Sequence, residues 1–324
     1  MPELPEVESL RLGLNKKIIG SKILNVKIIK PKLVSSNGTL RKVNKKKEEE
    51  FKKEIIGERI KQIKRVAKNL IIELNNEKIL IVHLKMTGQL VFESKRTHPK
   101  SFPKYLGKDT SEQSEEEVGF KKERIIGGHP IIKSFTDDLP NKHTAIIFNL
   151  SNGTLFYNDV RMFGYVLYFK NILEAKNHGL FKNIGLDPFD KNFTLKYFKE
   201  GLGKTNRNLK ATLLDQKIVT GCGNIYTDEV CFASKVLPKR NCKSLKEKDI
   251  ENIYKNIKTI LKSAIKHGGS SVSDYLLADW SRGNYAREHK VYGKGGEKCS
   301  VCKNILERKI IAGRATVYCK HCQK

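Results

Sequence analysis

Long hydrophobic runs are missing from this sequence. Its 324 residues contain no apolar stretch that could span a membrane, and no signal-peptide hydrophobic region follows Met1. The chain also has no lipidation motif and no long basic amphipathic helix, which argues against an anionic membrane surface as its partner. We therefore expect a cytoplasmic protein that does not bind membranes.

Acidic residues are also scarce. The chain has 35 Asp and Glu residues against 63 Lys and Arg residues, which gives a formal net charge of +28 at pH 7. An excess of this size indicates a polyanionic partner, most simply a nucleic acid. The length allows two or three domains, each with its own core.

No disulfide framework is expected from the seven cysteines, because a cytoplasmic compartment is reducing. Four of them form two Cys-x-x-Cys pairs near the end of the chain, a spacing that fits one tetrahedral zinc ion. We interpret this site as structural rather than catalytic, since four thiolates leave no coordination position open. The four predicted ligands are Cys299, Cys302, Cys319 and Cys322.

Hydrophobic periodicity predicts that the first half of the chain is largely β-structure. Residues 4–18 have a helical apolar stripe that ends before Gly20, and several short strands and hairpins follow. Residues 94–141 have little apolar periodicity, so we interpret them as a partly disordered insertion.

Beyond about residue 177 the pattern becomes helical. The best helix, residues 245–266, opens with a capping-box pattern at Ser244 and Glu247. Another helix is predicted to begin near Asn224, after a glycine-rich turn. Its free backbone N–H groups would offer a binding site for phosphate.

The first residues contain a candidate catalytic group. Once Met1 is removed, Pro2 has a free secondary amine, and an α-amino group with a pKa of about 7.7–8.0 is partly uncharged at neutral pH. Such an amine can attack a sugar carbon, and the carboxylates of Glu3 and Glu6 can assist cleavage of a glycosidic bond. The alternative is that many chains start with Met-Pro and many helices begin with acidic residues.

Several short motifs lie in order along nearly the whole chain. They are PELPEVE at residues 2–8, RVAK at 65–68, HLKMTG at 83–88, RMFG at 161–164, GCGNIY at 221–226, VYG at 291–293 and RAT at 314–316. Each motif is weak alone, but the complete series in a chain of this charge is specific. Together with the cysteine pairs, it resembles the bacterial formamidopyrimidine-DNA glycosylase family, whose sister branch is endonuclease VIII. The PELPE opening favours the first branch.

This resemblance implies an α+β multidomain fold. An N-terminal β-sandwich flanked by helices would span residues 1–176, and a linker would span 177–192. A helix-two-turn-helix domain would follow at 193–290, and a four-cysteine zinc-ribbon hairpin at 291–324. The implied partner is damaged double-stranded DNA and the implied cofactor is one structural zinc ion. The protein would be a cytoplasmic monomer that associates with the nucleoid through its function.

The resemblance also implies a reaction. The protein would be a base-excision-repair glycosylase with AP lyase activity that removes 8-oxoguanine and formamidopyrimidines from duplex DNA. Pro2 would form a Schiff base with the sugar, and Glu3 would protonate the ring oxygen. Glu6 would support this step, Lys68 would hold a phosphate, and β,δ-elimination would cleave the strand. From the residues alone, Glu6 fits equally well as a helix-terminal charge, and Lys68 as a solvated lysine.

Five further residues match the family's DNA contacts. Met86, Arg161 and Phe163 match the side chains that fill the space left by a flipped base, as a flexible filler, a donor fork that favours an orphaned cytosine, and an aromatic wedge. The alternative is that Met86 and Phe163 are core residues. Asn224 and Arg314 match phosphate contacts.

The chain departs from the family at one of these motifs. The usual DPRRFG reads DVRMFG at residues 159–164. Met162 replaces an arginine, which puts one phosphate contact in doubt. Residues 268–285 match the segment that folds over the flipped base in the family, and their serine and glycine content suits a lid.

Three rival interpretations remain open. The nearest is an endonuclease VIII-like glycosylase that acts on oxidised pyrimidines with the same chemistry. A non-catalytic zinc-ribbon DNA-binding protein would explain the charge and the cysteines, but it would not need Pro2, Glu3, Glu6 and Lys68 together. A ribosomal or other RNA-binding zinc protein would prefer RNA over DNA.

Overall fold

The N-terminal half of the protein is a β-sandwich. The structure is a computed structural model that describes residues 2–35, 42–98, 121–128, 138–270 and 284–324. Much of the predicted insertion and most of the predicted lid lie outside these residues. The described strands of the sandwich are β1 (Ile23–Ile28), β2 (Ile60–Val66), β3 (Asn69–Leu74), β4 (Ile79–His83), β5 (Gly88–His98), β6 (Lys121–Gly128), β7 (Thr144–Leu150), β8 (Gly153–Asp159) and β9 (Tyr165–Phe169).

Two antiparallel sheets face each other across the core. One is five-stranded in the order β1-β7-β8-β5-β6, and the other is four-stranded in the order β2-β3-β4-β9. Alternate residues of each strand point inward, so Val26 and Phe148 of one sheet meet Ile72 and Val82 of the other in one buried cluster. The turn between β4 and β5 and the loop between β8 and β9 are therefore held at fixed positions.

Part of the predicted insertion at residues 94–141 forms strand. β5 continues to His98, and residues 121–128 form β6, which pairs with β5 as an edge strand of the sheet. Backbone pairing with a neighbour supplies the partner that the local pattern does not reveal. The rest of the predicted insertion lies largely outside the described residues.

The helices described beside the sandwich are α1 (Leu4–Ile18), α2 (Lys32–Ser35), α3 (Lys45–Ile55) and α4 (Ile172–Asn177). The predicted helix at residues 4–18 is confirmed, and its residues Leu10, Leu14 and Ile18 are buried in the sandwich core. Leu4, at the start of the same helix, packs instead into the core of the helical half. The first turn of α1 thus lies at the junction of the two halves.

The helical half contains α5 (Leu195–Gly203), α6 (Leu209–Leu214), α7 (Asn224–Ala233) and α8 (Glu247–Lys266). The predicted start near Asn224 is confirmed. The predicted capping box of α8 was wrong, because the Asp249 carboxylate accepts the Lys246 N–H at 3.0 Å. The hydroxyl of Ser244 instead donates to the Asn241 carbonyl at 2.8 Å. Among the described residues, no helix has both the length and the apolar character needed to cross a bilayer.

An antiparallel hairpin follows the helical half and consists of β10 (Glu307–Ile311) and β11 (Arg314–Tyr318). It packs on α7, where the Asp228 carboxylate accepts the Val317 N–H at 3.1 Å. The neighbouring Glu229 accepts three backbone N–H groups at 2.8–3.0 Å, from residues 290–292. Helix α7 therefore joins the N-terminal segment to the hairpin.

Candidate active site

The Glu3 carboxylate lies buried between the two halves of the protein. It accepts the backbone N–H of Gly223 at 2.7 Å and of Ile225 at 3.0 Å, at the N-terminus of α7. The prediction that these N–H groups bind phosphate was wrong, because Glu3 occupies them. The Leu4 N–H donates to the Gly221 carbonyl at 3.0 Å, which fixes the buried Pro2 and Glu3 against the same turn.

The surroundings of Glu3 favour its neutral form. Burial raises the pKa of Glu3 to about 7, against the opposing charge of Lys68 and with the added repulsion of Glu6. Gly223 is required here, since a Cβ at this position would overlap the Glu3 carboxyl carbon. A carboxyl group with a pKa near 7 can donate a proton at neutral pH.

Glu6 is held from three directions. Its carboxylate accepts the Glu3 N–H at 2.8 Å, the Tyr226 hydroxyl at 2.5 Å and the Ser270 N–H at 2.8 Å. The first of these bonds caps α1, so the interpretation of Glu6 as a helix-terminal group holds. The other two connect it to the helical half and fix its orientation beside Glu3.

Lys68 lies in the turn between β2 and β3 and reaches the same cluster. Its Nζ donates to the Cys222 carbonyl at 2.9 Å, and the residue is only 7% exposed. The interpretation of Lys68 as a solvated lysine was therefore wrong. Burial lowers the pKa of Lys68, and the negative charge of Glu3 opposes this shift.

Arg65 fixes the Lys68 turn. Its Nη1 donates to the Ala67 carbonyl at 3.0 Å and to Asp187 at 2.6 Å. Its Nε donates to Glu8 of α1 at 2.9 Å. One largely buried guanidinium thus ties the turn to α1 and to the segment that leads into the helical half.

The loops that carry the predicted DNA-filling residues lie side by side. The Asp159 carboxylate accepts the Thr87 hydroxyl at 2.5 Å and the Gly164 N–H at 2.7 Å. The Arg161 N–H donates to Thr87 at 3.0 Å, and the Arg161 guanidinium stacks over the Phe163 ring at 4.4 Å. The side chain of Asp159 therefore joins the two loops and holds them in register.

The alternative that Met86 is a core residue was wrong, because it is 38% exposed. Phe163 is half-buried beside the exposed Arg161. Met162 has a positive φ of 53° and packs against the sandwich core. An apolar side chain suits this position, where the family commonly has arginine.

Asn224 contacts the hairpin at the residue that follows Arg314. The Asn224 side-chain amide donates to the Ala315 carbonyl at 3.1 Å, and its second N–H hydrogen is a further donor. Arg314 is exposed, and its positive charge is among those that lower the pKa of Lys68. The positive charge of Arg314 is therefore close enough to Lys68 to act on it.

The four predicted cysteine ligands converge on one point. Their Sγ atoms all lie within 4.8 Å of one another. Two of the Sγ–Sγ distances are 4.0 Å (Cys299 to Cys322) and 3.4 Å (Cys302 to Cys319). A tetrahedron with Zn–S bonds of about 2.3 Å has edges of about 3.8 Å, so the cluster fits one structural zinc ion.

Three residues of the site were not predicted as functional. Tyr226 contacts Glu6, Ser270 contacts Tyr226 and Glu6, and His289 contacts Ser270. Tyr226 lies within a recognised motif and Ser270 within the predicted lid. No signal in the sequence pointed to His289.

Three family models match the chain in the order of its N-terminal half, its helical half and its hairpin. Residues 1–166 match the family model of the formamidopyrimidine-DNA glycosylase N-terminal domain, and residues 184–275 match the H2TH domain of the same enzymes. Residues 296–324 match a zinc finger found in FPG and IleRS. The chain belongs to the formamidopyrimidine-DNA glycosylase family. Relatives of that name from Carboxydothermus hydrogenoformans and Streptococcus mutans are each 36% identical, with both chains fully covered.

Solved structures agree. The complex of Lactococcus lactis Fpg (MutM) with DNA containing N7-benzyl-Fapy-dG has a TM-score of 0.78 and 32% identity, with both chains fully covered. The complex of the same enzyme with abasic-site DNA also has a TM-score of 0.78, with 99% of each chain covered. The predicted resemblance and fold class are thereby confirmed.

Proposed function

We propose that this protein is a base-excision-repair DNA glycosylase with AP lyase activity that removes oxidised purines from duplex DNA through Pro2. The observation that carries the proposal is the buried Glu3 carboxyl beside Pro2, bound at the N-terminus of α7 with its pKa raised to about 7. The names of the relatives, and the Lactococcus complexes with Fapy-dG DNA, support the substrate class.

The first step joins enzyme and sugar. The Pro2 nitrogen lone pair forms a bond to C1′, the bond from C1′ to the base breaks, and the proton that the Pro2 nitrogen loses goes to the departing base. Glu3 donates its proton to the ring oxygen, so the ring opens and leaves a cationic iminium. A secondary amine suits this step, because its iminium has no second N–H proton to lose. Lys68 holds a phosphate near the reacting sugar.

The second step cleaves the strand. The iminium acidifies the adjacent C2′–H, so removal of that proton expels the 3′ phosphate, and a further elimination expels the 5′ phosphate. Water then hydrolyses the iminium and frees Pro2. The enzyme must stay bound to the DNA phosphates during both eliminations. The positive charge of the chain and the position of Lys68 at the buried cluster suit this binding.

Access to the sugar requires the base to leave the helix. Met86, Arg161 and Phe163 fill the resulting space, with Arg161 favouring an orphaned cytosine. Asn224 of α7 and Arg314 of the hairpin bind phosphates. The structural zinc ion keeps the hairpin that carries Arg314 in its fold.

A lesion panel tests this function. Labelled duplexes would carry 8-oxoguanine, formamidopyrimidine or thymine glycol, each opposite all four bases. We expect incision of the oxidised purines, fastest opposite cytosine. Preferred incision of thymine glycol would favour the endonuclease VIII-like alternative. This lesion class belongs in the panel because Lactococcus lactis Fpg has also been solved with DNA containing an oxidised pyrimidine.

Variants of Pro2 and an RNA competitor complete the test. Strand cleavage by Pro2→Gly at the wild-type rate would overturn the role of Pro2. Binding without incision of any lesion would favour the non-catalytic zinc-ribbon interpretation. Stronger binding to RNA than to DNA would favour the RNA-binding one.

A further inference from the structure

A buried chain of hydrogen bonds connects His289 to Glu6. Ser270 Oγ lies 2.8 Å from His289 Nε2 and 3.1 Å from the Tyr226 hydroxyl, which donates to Glu6 Oε1 at 2.5 Å. All four residues are at most 5% exposed. The chain therefore has little access to water, and its proton directions are set by its own members.

Counting donors fixes the direction of this chain. The single Tyr226 hydroxyl proton goes to the Glu6 carboxylate, so the Tyr226 oxygen must accept from Ser270. The single Ser270 hydroxyl proton is then donated to Tyr226, so the Ser270 oxygen must accept a hydrogen bond from His289. The Nε2 atom of a neutral His289 must carry its proton, because two lone pairs would otherwise face each other.

The surroundings of His289 keep its ring neutral. Tyr285 and Tyr292 pack edge-on to it, with centroids at 5.7 and 5.6 Å. Burial, with the charge of Lys294, lowers the pKa of His289 to about 4. Glu229 of α7 binds the backbone N–H groups of residues 290–292. His289 thus acts as a fixed donor at neutral pH.

We propose that His289 is a positioning residue for the glycosylase reaction, because its Nε2–H fixes the Ser270 and Tyr226 hydroxyls so that Glu6 keeps its orientation beside Glu3. The other Glu6 oxygen accepts the Glu3 N–H at 2.8 Å. A rotation of Glu6 would therefore move the turn that carries Glu3 and Pro2. The inference rests on the proposed function of those two residues.

Two variants of His289 separate donor loss from side-chain loss. His289→Leu removes the donor, and we expect single-turnover base release to fall about tenfold, as for one lost hydrogen bond to a charged network. The dissociation constant for lesion DNA should not change. His289→Gln retains an N–H donor and should restore the rate to within about twofold of wild type. Equal rates for His289→Leu and wild type would overturn the inference.

A double-mutant cycle tests whether His289 acts through Ser270. Ser270→Ala should slow base release to a similar extent, and adding His289→Leu should slow it no further. Additive losses would show that His289 acts by another route, against the inference. The matched control is His178→Leu, a histidine that packs edge-on to Phe169 in a different part of the protein and should leave the rate unchanged.

A measurement that needs no activity separates this inference from the proposed function. Nitrogen-15 NMR of the imidazole should show His289 neutral with its proton on Nε2 at pH 7, and a proton on Nδ1 would overturn the donor direction. If the wild-type protein released no base while this tautomer was present, the proposed function would fail instead.

Discussion

Two groups of residues are held in opposite ways: the buried cluster of Glu3, Glu6 and Lys68, proposed to be catalytic, and the loop edge that carries Met86, Arg161 and Phe163. Glu3, Glu6 and Lys68 are at most 7% exposed, and each side chain is bound to an atom of the helical half. Met86 and Arg161 are exposed, and Asp159 and Thr87 hold their loops largely through backbone groups. The cluster is therefore organised by the protein alone, whereas the loop edge exposes side chains to solvent. Changes in the cluster should alter chemistry, and changes at the edge should alter damage recognition.

The largest effect is expected from Glu3→Gln. The amide keeps the shape of the carboxyl but cannot donate the required proton, so base release should slow by about 10²–10⁴-fold. Single-turnover assays on 8-oxoguanine opposite cytosine would measure this. Glu48→Gln, on α3 and paired with Lys52, is the matched control and should leave the rate unchanged. An active Glu3→Gln enzyme would contradict the assigned proton donor.

Gly223→Ala should come next. The added methyl group overlaps the Glu3 carboxyl, so the carboxyl must leave its N–H partners. A displacement of about 1 Å can cost about 10²-fold in rate. Gly203→Ala, where a Cβ meets nothing within 4 Å, is the control. If both alanine variants released base equally fast, the packing of Glu3 against Gly223 would not matter for the reaction.

The pH dependence of base release should report the ionisation of the Glu3 carboxyl group. Burial raises the pKa of Glu3 to about 7, and Glu3 must be protonated to donate, whereas the Pro2 amine, with a pKa of about 7.7–8.0, must be uncharged to attack. Base release should therefore be nearly constant between these two pKa values and fall by about tenfold per unit above about pH 8. Phe163→Ala should retain this alkaline limb, since Phe163 lies in the loop edge. Glu3→Gln should lose it. An alkaline limb that survives in Glu3→Gln would assign it to another group.

The smallest chemical effect is expected from Phe163→Ala. Loss of the wedge should slow the location of damage in long DNA by several-fold, while single-turnover base release from a short lesion duplex changes less. Phe189→Ala removes an aromatic ring that is exposed and lies outside the loop edge, and it serves as the control. Equal losses in search and chemistry would count against the wedge and would blur the distinction between the two regions.

The sequence predicted features whose partners are close along the chain. The cysteine pairs specified the zinc cluster because each pair is separated by two residues, and the period of residues 4–18 specified α1. The ordered motifs predicted the family and the fold. The roles of the site residues and the domain limits, 1–176, 193–290 and 291–324, stay predictions.

Contacts between distant residues could not be predicted. Glu3 and Gly223 are 220 positions apart, so nothing local showed that a carboxylate would take the N–H groups expected to bind phosphate. The contact between Ser270 and His289 likewise depends on the tertiary fold around α7, which local sequence patterns do not reveal. Strand β6 was missed because its pairing with β5, rather than its own pattern, defines it.

Borohydride trapping on lesion DNA tests the central claim most directly. With Met1 removed, the wild-type protein should form a covalent adduct with the oligonucleotide, and mass spectrometry should locate the link at the Pro2 nitrogen. Efficient strand incision without any adduct, or an adduct located at a lysine such as Lys68, would contradict the account.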